Sequence, residues 1–431
     1  MQPVQNEGRC IRVDYCHNLI YKLQGSVAVF LIPSKNKREY NAFPYLCARM
    51  PFQFDVFTSL EALAEEVRFP EKNYDLDTDI NEKAELRNIK NYYLLVRENN
   101  RKLAVIYYQL LDVKPYHFNI SDKPVQQWAL SWALRIVRPT LLVSGNLFRH
   151  DQLFYCFVDD QITPELKRRM HCDATEFMIK YTNCSGIFMK DVEEDIAQEL
   201  LKDSSFLPMP DDISMEMKIP SSWKSFSDYE HALKHKYVQR LRKIKQSFRD
   251  VTIQEFGLEE VQQYADEIHA LYMMVSRKQM VSMGILNPAF FVEMKRKKGS
   301  RYKVFGFFYE GKLVAFASAI VHDREYDMNY IGFNYDYNQK LSLYFNILFH
   351  CVEQALQENC KKLILGRTAI EAKAIMGCTP DYRYSFYKLR NVVVNWFYKM
   401  VARYFSEQQG EKWKDRHPFK SEYYQESKAE A

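Results

Sequence analysis

The chain is short of glycine. Its 431 residues include 13, and none of them forms a GxGxxG or a GxxxxGK[ST] pattern. Phosphate-cradling loops use glycine so that backbone amides can come close to the anion. A P-loop nucleotide hydrolase and a dinucleotide enzyme of the usual kind are therefore excluded. Paired cysteines are missing too. The nine cysteines, at 10, 16, 47, 156, 172, 184, 351, 360 and 378, are an odd number with no CxxC. Several sit in apolar runs, such as LFYCFV and ILFHCVEQAL, which reads as buried thiols in a reducing compartment. The ten histidines show no HExxH spacing, so no metal site is expected. No uncharged apolar run reaches the roughly twenty residues that cross a bilayer. The start, MQPVQNEGRC, has no basic segment followed by an apolar core. The expected location is cytoplasmic, or peripheral at the inner membrane surface. Charge of one sign is also lacking: 60 basic against 55 acidic residues leave a net +5. The total does not call for a nucleic-acid partner.

What is present is aromatic and repeated. Tyr (30) and Phe (29) are abundant. Residues 92–113 read YYLLVRENNRKLAVIYYQLLDV and residues 302–323 read YKVFGFFYEGKLVAFASAIVHD. Each is an apolar run, a polar turn, then Lys-Leu, Val and a second apolar run, the pattern of a β-hairpin. The turns fall at Glu98-Asn99-Asn100 and Glu310-Gly311. Half a chain separates the two hairpins, and the length suits two domains. The expectation is two copies of one α/β unit, residues 1–218 and 219–431, each a mixed sheet flanked by helices.

Further elements follow from local signals. SVAVFLI (26–32) reads as a strand. Thr58 to Glu61 opens a helix near 59–67, and 70–90 reads as a polar loop. Residues 134–148 and 153–158 read as strands, 162–181 as a helix opened by Thr163 and Pro164, and 185–192 as a short strand. Residues 203–223, with three prolines, read as a linking strand at the seam. A helix is expected from Ser227 to about residue 249, another at 258–280, and a last one at about 390–406. That last helix carries Val392, Val393, Trp396, Phe397, Met400 and Val401 on one stripe, suited to a core or to a membrane surface.

Three constellations carry charge or polarity. In LGRTAIEAKAIMG (365–377), Arg367, Thr368, Glu371 and Lys373 follow a buried strand directly, and ligands of α/β sheets collect at such C-terminal edges. In DMNYIGFNYDYN (327–338), Tyr330, Asn334 and Tyr335 lie along and beyond a strand, with Asp327 or Tyr330 available as a base. The basic helix 234–249 places Lys236, Arg240 and Lys243 on one side, where a tRNA or an anionic lipid head group would dock. Each has a structural alternative: an ion-paired turn, a Tyr-rich core strand, a solvated amphipathic helix. Cys378, just past Gly377, has no histidine nearby in sequence to activate it.

The order hairpin, strand, turn, helix, parallel strand, helix resembles the GNAT acyltransferase fold. The duplicated form is similar to the Fem-type peptidoglycan aminoacyltransferases and related bacterial GNAT-like proteins. SGNLF (144–148), FMKDV (188–192), YEHALKHKYVQRLRKI (229–244), LGRTAIEAKAIMG (365–377) and KWKDRHPFK (412–420) carry the likeness. The resemblance implies two tandem GNAT-like domains and acyl or aminoacyl transfer to an amine of a cell-envelope or small-molecule acceptor. It implies acyl-CoA or aminoacyl-tRNA as co-substrate, with no tightly bound cofactor. The second half becomes the catalytic unit, with Glu371 as base or organiser and Arg367 and Lys373 as anion holders. Tyr330, Asn334, Tyr335 and Thr368 line the cleft, and Arg240 and Lys243 contact the donor. Lys190 and Asp191 of FMKDV either bind substrate or pair. One departure stands out: where GNAT enzymes hold the pyrophosphate on an [RQ]xxGx[GA] loop, this chain has NYDYNQKLSLYF (334–345), without glycine. That departure leaves open a GNAT-like pair without donor chemistry, a binder of a polysaccharide, lipid or protein.

Overall fold

A computed structural model describes residues 52–68, 78–119, 124–149, 155–159, 162–202, 206–209, 213–279, 281–390 and 413–424. The strand expected at 26–32 lies outside the described residues, as does the helix at 390–406 apart from Arg390. The described strands are β1 (Gln53–Phe57), β2 (Ile89–Glu98), β3 (Arg101–Asp112), β4 (Thr140–Ser144), β5 (Tyr155–Phe157), β6 (Gly186–Val192), β7 (Leu207–Pro208) and β8 (Ile213–Lys218). They continue with β9 (Thr252–Glu255), β10 (Tyr302–Tyr309), β11 (Lys312–His322), β12 (Glu325–Phe333), β13 (Lys362–Gly366), β14 (Thr379–Tyr382) and β15 (Tyr384–Leu389).

Both hairpins form as expected. Asn99 and Asn100 take φ of 49° and 67°, and Glu310 and Gly311 take 51° and 73°. Two successive left-handed residues twist a two-residue turn the same way as the strands it joins. Around the hairpins stand two mixed sheets built on one plan. The first runs β1-β2-β3-β4-β6-β15-β7, with β5 also on β3; the second runs β9-β10-β11-β12-β13-β8-β14. In each, four antiparallel strands meet one parallel neighbour, β4 with β6 and β12 with β13. Two antiparallel strands then complete the sheet. The architecture is α/β, with two mixed sheets in tandem, each flanked by helices.

The two sheets exchange strands. β8 comes before the second hairpin yet pairs with β13 and β14 inside the second sheet. β15 comes after it and pairs with β6 and β7 in the first. The segment expected to link the halves is thus an internal strand, which its buried Ile213, Met215 and Met217 require. Strand pairing crosses residues 218–219 in both directions.

Three local expectations need correction. Residues 70–90 include a helix, Thr78–Lys83, whose Ile80 is buried in the core of the second sheet. Residues 134–137 end a helix, Pro124–Val137, and only Thr140–Ser144 is strand. The long helices break: Phe226–Ala232 is separate from His235–Gln246, and Leu258–Gln263 from Ala265–Ser276. Helix Leu343–Gln357 covers one face of the second sheet with Leu343, Ile347, Leu348 and Val352. Helices Ala265–Ser276 and Pro288–Lys298 cover the other with Leu271, Tyr272, Phe290 and Phe291.

Candidate active site

The second sheet opens where its two parallel strands part. β12 and β13 pair only over Glu325–Asp327 and Lys362–Ile364. From Met328 to Phe333 β12 keeps β11 on one side and no strand on the other among the described residues. A bulge causes the parting. Two β12 residues, Asn329 and Tyr330, stand opposite the single Ser318 of β11. An extra residue kinks its strand and interrupts the ladder. The groups it frees are satisfied locally: the Ser318 hydroxyl donates to the Tyr330 carbonyl and accepts from the Tyr330 amide, each at 3.1 Å. The bulge also breaks the two-residue alternation of faces that a regular strand would have over 327–332. Asn329 is left buried with neither side-chain oxygen nor nitrogen partnered, an expensive state in a site closed to ligand.

The first sheet has no matching open edge, since β4 stays paired with β6 up to its last residue, Ser144. β4 stops at Ser144 and its chain turns through SGNLF, the loop 145–149. Gln109 accepts from the Leu147 amide at 2.8 Å, and Asn146 accepts from the Phe148 amide at 3.0 Å. This loop crosses to the second sheet: Tyr330 Oη donates to the Phe148 carbonyl at 3.1 Å, and Lys190 Nζ donates to the Arg149 carbonyl at 2.6 Å. Lys190 also pairs with Asp191, which pairs with Arg367 at the end of β13. A polar chain thus runs from β12 through the loop to the ends of β6 and β13. It closes one side of the opening in the second sheet while the β12 edge stays free.

Asp191 is buried, which alone would raise its pKa, but Lys190 and Arg367 outweigh that and hold the carboxyl well below its ordinary value. Lys190 and Asp191 pair with each other. Burial pushes the Tyr330 phenol far above its usual range. In this structure its hydroxyl acts as a hydrogen-bond donor, to the Phe148 carbonyl. Its ring packs against Tyr272, Phe290 and Phe291. Asp327, the other base considered, is buried on β12.

The Arg–Glu–Lys corner divides among three partners. Arg367 turns to Asp191. Glu371 pairs with Arg416 and so clamps the C-terminal segment 413–424. Lys373 points inward, almost fully buried, with Nζ donating to the Gly366 carbonyl at 3.2 Å. Burial lowers its pKa to about 7. Thr368 is exposed on the turn. Asn334 caps helix Tyr335–Leu341, accepting from the Asp336 amide at 2.9 Å, and Lys278 lies over the Tyr335 ring at 3.3 Å. The Cys378 thiol, pushed by burial to about 12, is no nucleophile. No cluster of three or more metal-ligating side chains occurs among the described residues.

On helix His235–Gln246 the basic side is real. Arg242 pairs with Glu230 at 2.7 Å and Lys245 with Glu353 at 3.6 Å. Lys236, Arg240 and Lys243 are exposed and have no carboxylate partner among the described residues. Arg240 lies over Phe345 at 5.0 Å, beside a small hollow lined by Tyr229, Tyr237 and Phe349. The bulge at Asn329 and the loop 145–149 are the parts sequence reading missed as site elements. The SGNLF string marked the second without showing what it touches.

Residues 235–384 match the family model described as an acetyltransferase (GNAT) domain. The match is confined to these residues of the second half, and acyl transfer is the general chemistry that goes with that domain. Among solved structures it is similar to FemX, with 12% identity over 77% of this chain and 95% of that one, TM-score 0.46. It is similar to a tandem GNAT protein from the clavulanic acid biosynthesis pathway, 11% identical over 78% and 97%, TM-score 0.46. A GCN5-related N-acetyltransferase from Kribbella flavida is 7% identical over 79% and 71%, TM-score 0.41. No curated protein matches the chain. Among the described residues no helix is long and apolar enough to cross a membrane.

Proposed function

We propose that this chain is a GNAT-like N-acyltransferase whose second unit moves an activated acyl or aminoacyl group to an amine. The acceptor belongs to the cell envelope or is a small molecule. The free edge of β12 from Met328 to Phe333 carries this reading. An extended donor arm adds to such an edge by main-chain hydrogen bonds, which sets the carbonyl beside the bulge. The acceptor nitrogen bonds to the acyl carbon, its proton passes to a base, and the thiol or tRNA hydroxyl departs. Positioning and oxyanion stabilisation supply most of the catalysis. Asn329 is the side-chain donor at that place, and Asp327 is the carboxylate on the same strand.

Two observations favour aminoacyl-tRNA over acyl-CoA. The helix that follows β12 is already capped by Asn334 and begins with Asp336, so its N-terminus repels a pyrophosphate. The unpaired cations Lys236, Arg240 and Lys243 offer a phosphate-binding side instead. Melting temperature is measured with a panel of acyl-CoAs and aminoacyl-tRNAs. A rise with aminoacyl-tRNA, weakened by salt and by Arg240→Ala with Lys243→Ala, supports the proposal. A rise with acyl-CoA alone leaves the transferase and removes the tRNA. No rise with any donor leaves the non-catalytic binder, which the glycine-free turn favours.

A further inference from the structure

The helix Pro124–Val137 is apolar on two opposite sides. Its Leu134 packs toward Val113, Leu141 and Val143 of the first sheet. The opposite side, facing solvent, is also apolar: Val125 is 74% exposed, Trp128 68%, Trp132 59% and Ile136 59%. These four recur at three- and four-residue spacing, so they form one stripe. Two of the chain's five tryptophans are spent on it. Val137 is also exposed but lies off this stripe, and Tyr116 is exposed in the turn against which the helix rests. Scattered exposed apolar residues are ordinary, but a contiguous run of this kind marks an interaction surface.

Charge and size point to the occupant. Arg135 and Arg138 are exposed beside the stripe, with no acidic partner among the described residues. The described segments 113–119 and 124–139 contain no Asp or Glu. The helix has 14 residues, so the strip is about 20 Å long and roughly 10 Å wide. It offers some 200–300 Å2, far below the roughly 800 Å2 each partner gives to a standard protein interface. A second copy of this chain therefore does not suffice to explain it. Tryptophans at the front, arginines at the flank and a small footprint suit the boundary of an anionic bilayer, where indoles sit at head-group depth.

We propose that helix Pro124–Val137 seats the protein on the surface of a membrane containing anionic phospholipid. The seat is independent of which donor or acceptor the second unit uses. The full chain is sedimented with vesicles of phosphatidylcholine alone and of phosphatidylcholine with phosphatidylglycerol, and tryptophan emission is followed. Binding and a blue shift are expected with the anionic vesicles. Trp128→Ser with Trp132→Ser should weaken partitioning on the order of tenfold or more without changing the melting temperature. Arg135→Glu with Arg138→Glu, which keeps the stripe, should erase the preference for anionic lipid. No binding to anionic vesicles overturns the proposal, as does equal binding by either double variant. Self-association through these tryptophans without vesicle binding also overturns it, in favour of a protein contact.

Discussion

Asp191 is a charge withdrawn from water and held by two cations, Lys190 and Arg367. Removing one partner of a buried pair leaves the other unpaid for, a larger loss than the pair's own worth. Arg367→Ala should cost about 2–4 kcal/mol in denaturant unfolding, and Asp191→Ala on top of it should cost little more. The pH dependence has a definite sign. Asp191 in the fold titrates below its unfolded value of about 3.9, so its stabilisation is full above that pH. It is lost as acid carries the folded carboxyl through its own lower pKa. Asp191→Asn should flatten the fall in melting temperature below about pH 4. Lys373 has the opposite economy. Its folded pKa of about 7 lies below the unfolded value of about 10.4, so it weakens the fold progressively as pH falls from there toward 7. Lys373→Met should then stabilise by on the order of 1 kcal/mol at neutral pH, with the gain vanishing near pH 11. A melting series across pH checks this. Destabilisation at every pH would mean that the bond to the Gly366 carbonyl matters more. In the sequence, Lys373 is expected as an anion holder because it follows a strand end and the family resemblance implies that role. Nothing local reveals that it is buried, near Cys351 and Cys378.

At the scale of elements, the bulge of β12 opens the candidate site, and Gly332 lets a helix pack closely on the same strand. A Cβ at Gly332 would overlap the backbone of Leu271 and Tyr272, so helix Ala265–Ser276 lies directly on the strand. Gly332→Ala must push the helix away and should cost about 2–3 kcal/mol. The same change at the solvent turn Gly311, where a Cβ meets nothing, should cost about 1 kcal/mol from its positive φ alone. Chemical denaturation separates the two. The hairpins were legible because turn chemistry and apolar alternation agree within a dozen residues. Helix Pro124–Val137 was not, because its outward face is apolar and the usual contrast between buried and exposed faces is missing. Helix Thr78–Lys83 hid for the reverse reason: its run is polar, and it is held by partners far along the chain, such as Lys297 on Asp79.

For the whole molecule, the exchange of β8 and β15 makes the two sheets interdependent. Each would lose an internal strand if the chain were cut between residues 218 and 219, and would expose an edge. The pieces expressed alone should be unfolded or aggregated, while the intact chain should melt in one transition across residues 52–424. Two resolved transitions in calorimetry would contradict this. The repeat itself was visible in the two hairpins, since local pattern repeats when a unit repeats. The exchange was not, because pairing between residues nearly 200 apart leaves no local trace. The same long-range contact took Arg367 from an open corner to Asp191.

The central claim is that the open edge of β12 receives the acyl donor, and amide hydrogen exchange of the intact chain reads it directly. Adding the aminoacyl-tRNA or acyl-CoA that raises the melting temperature should slow exchange in Met328–Phe333, with no comparable change at residues 140–149 of the first sheet. A donor that binds yet leaves Met328–Phe333 exchanging as before would contradict the account.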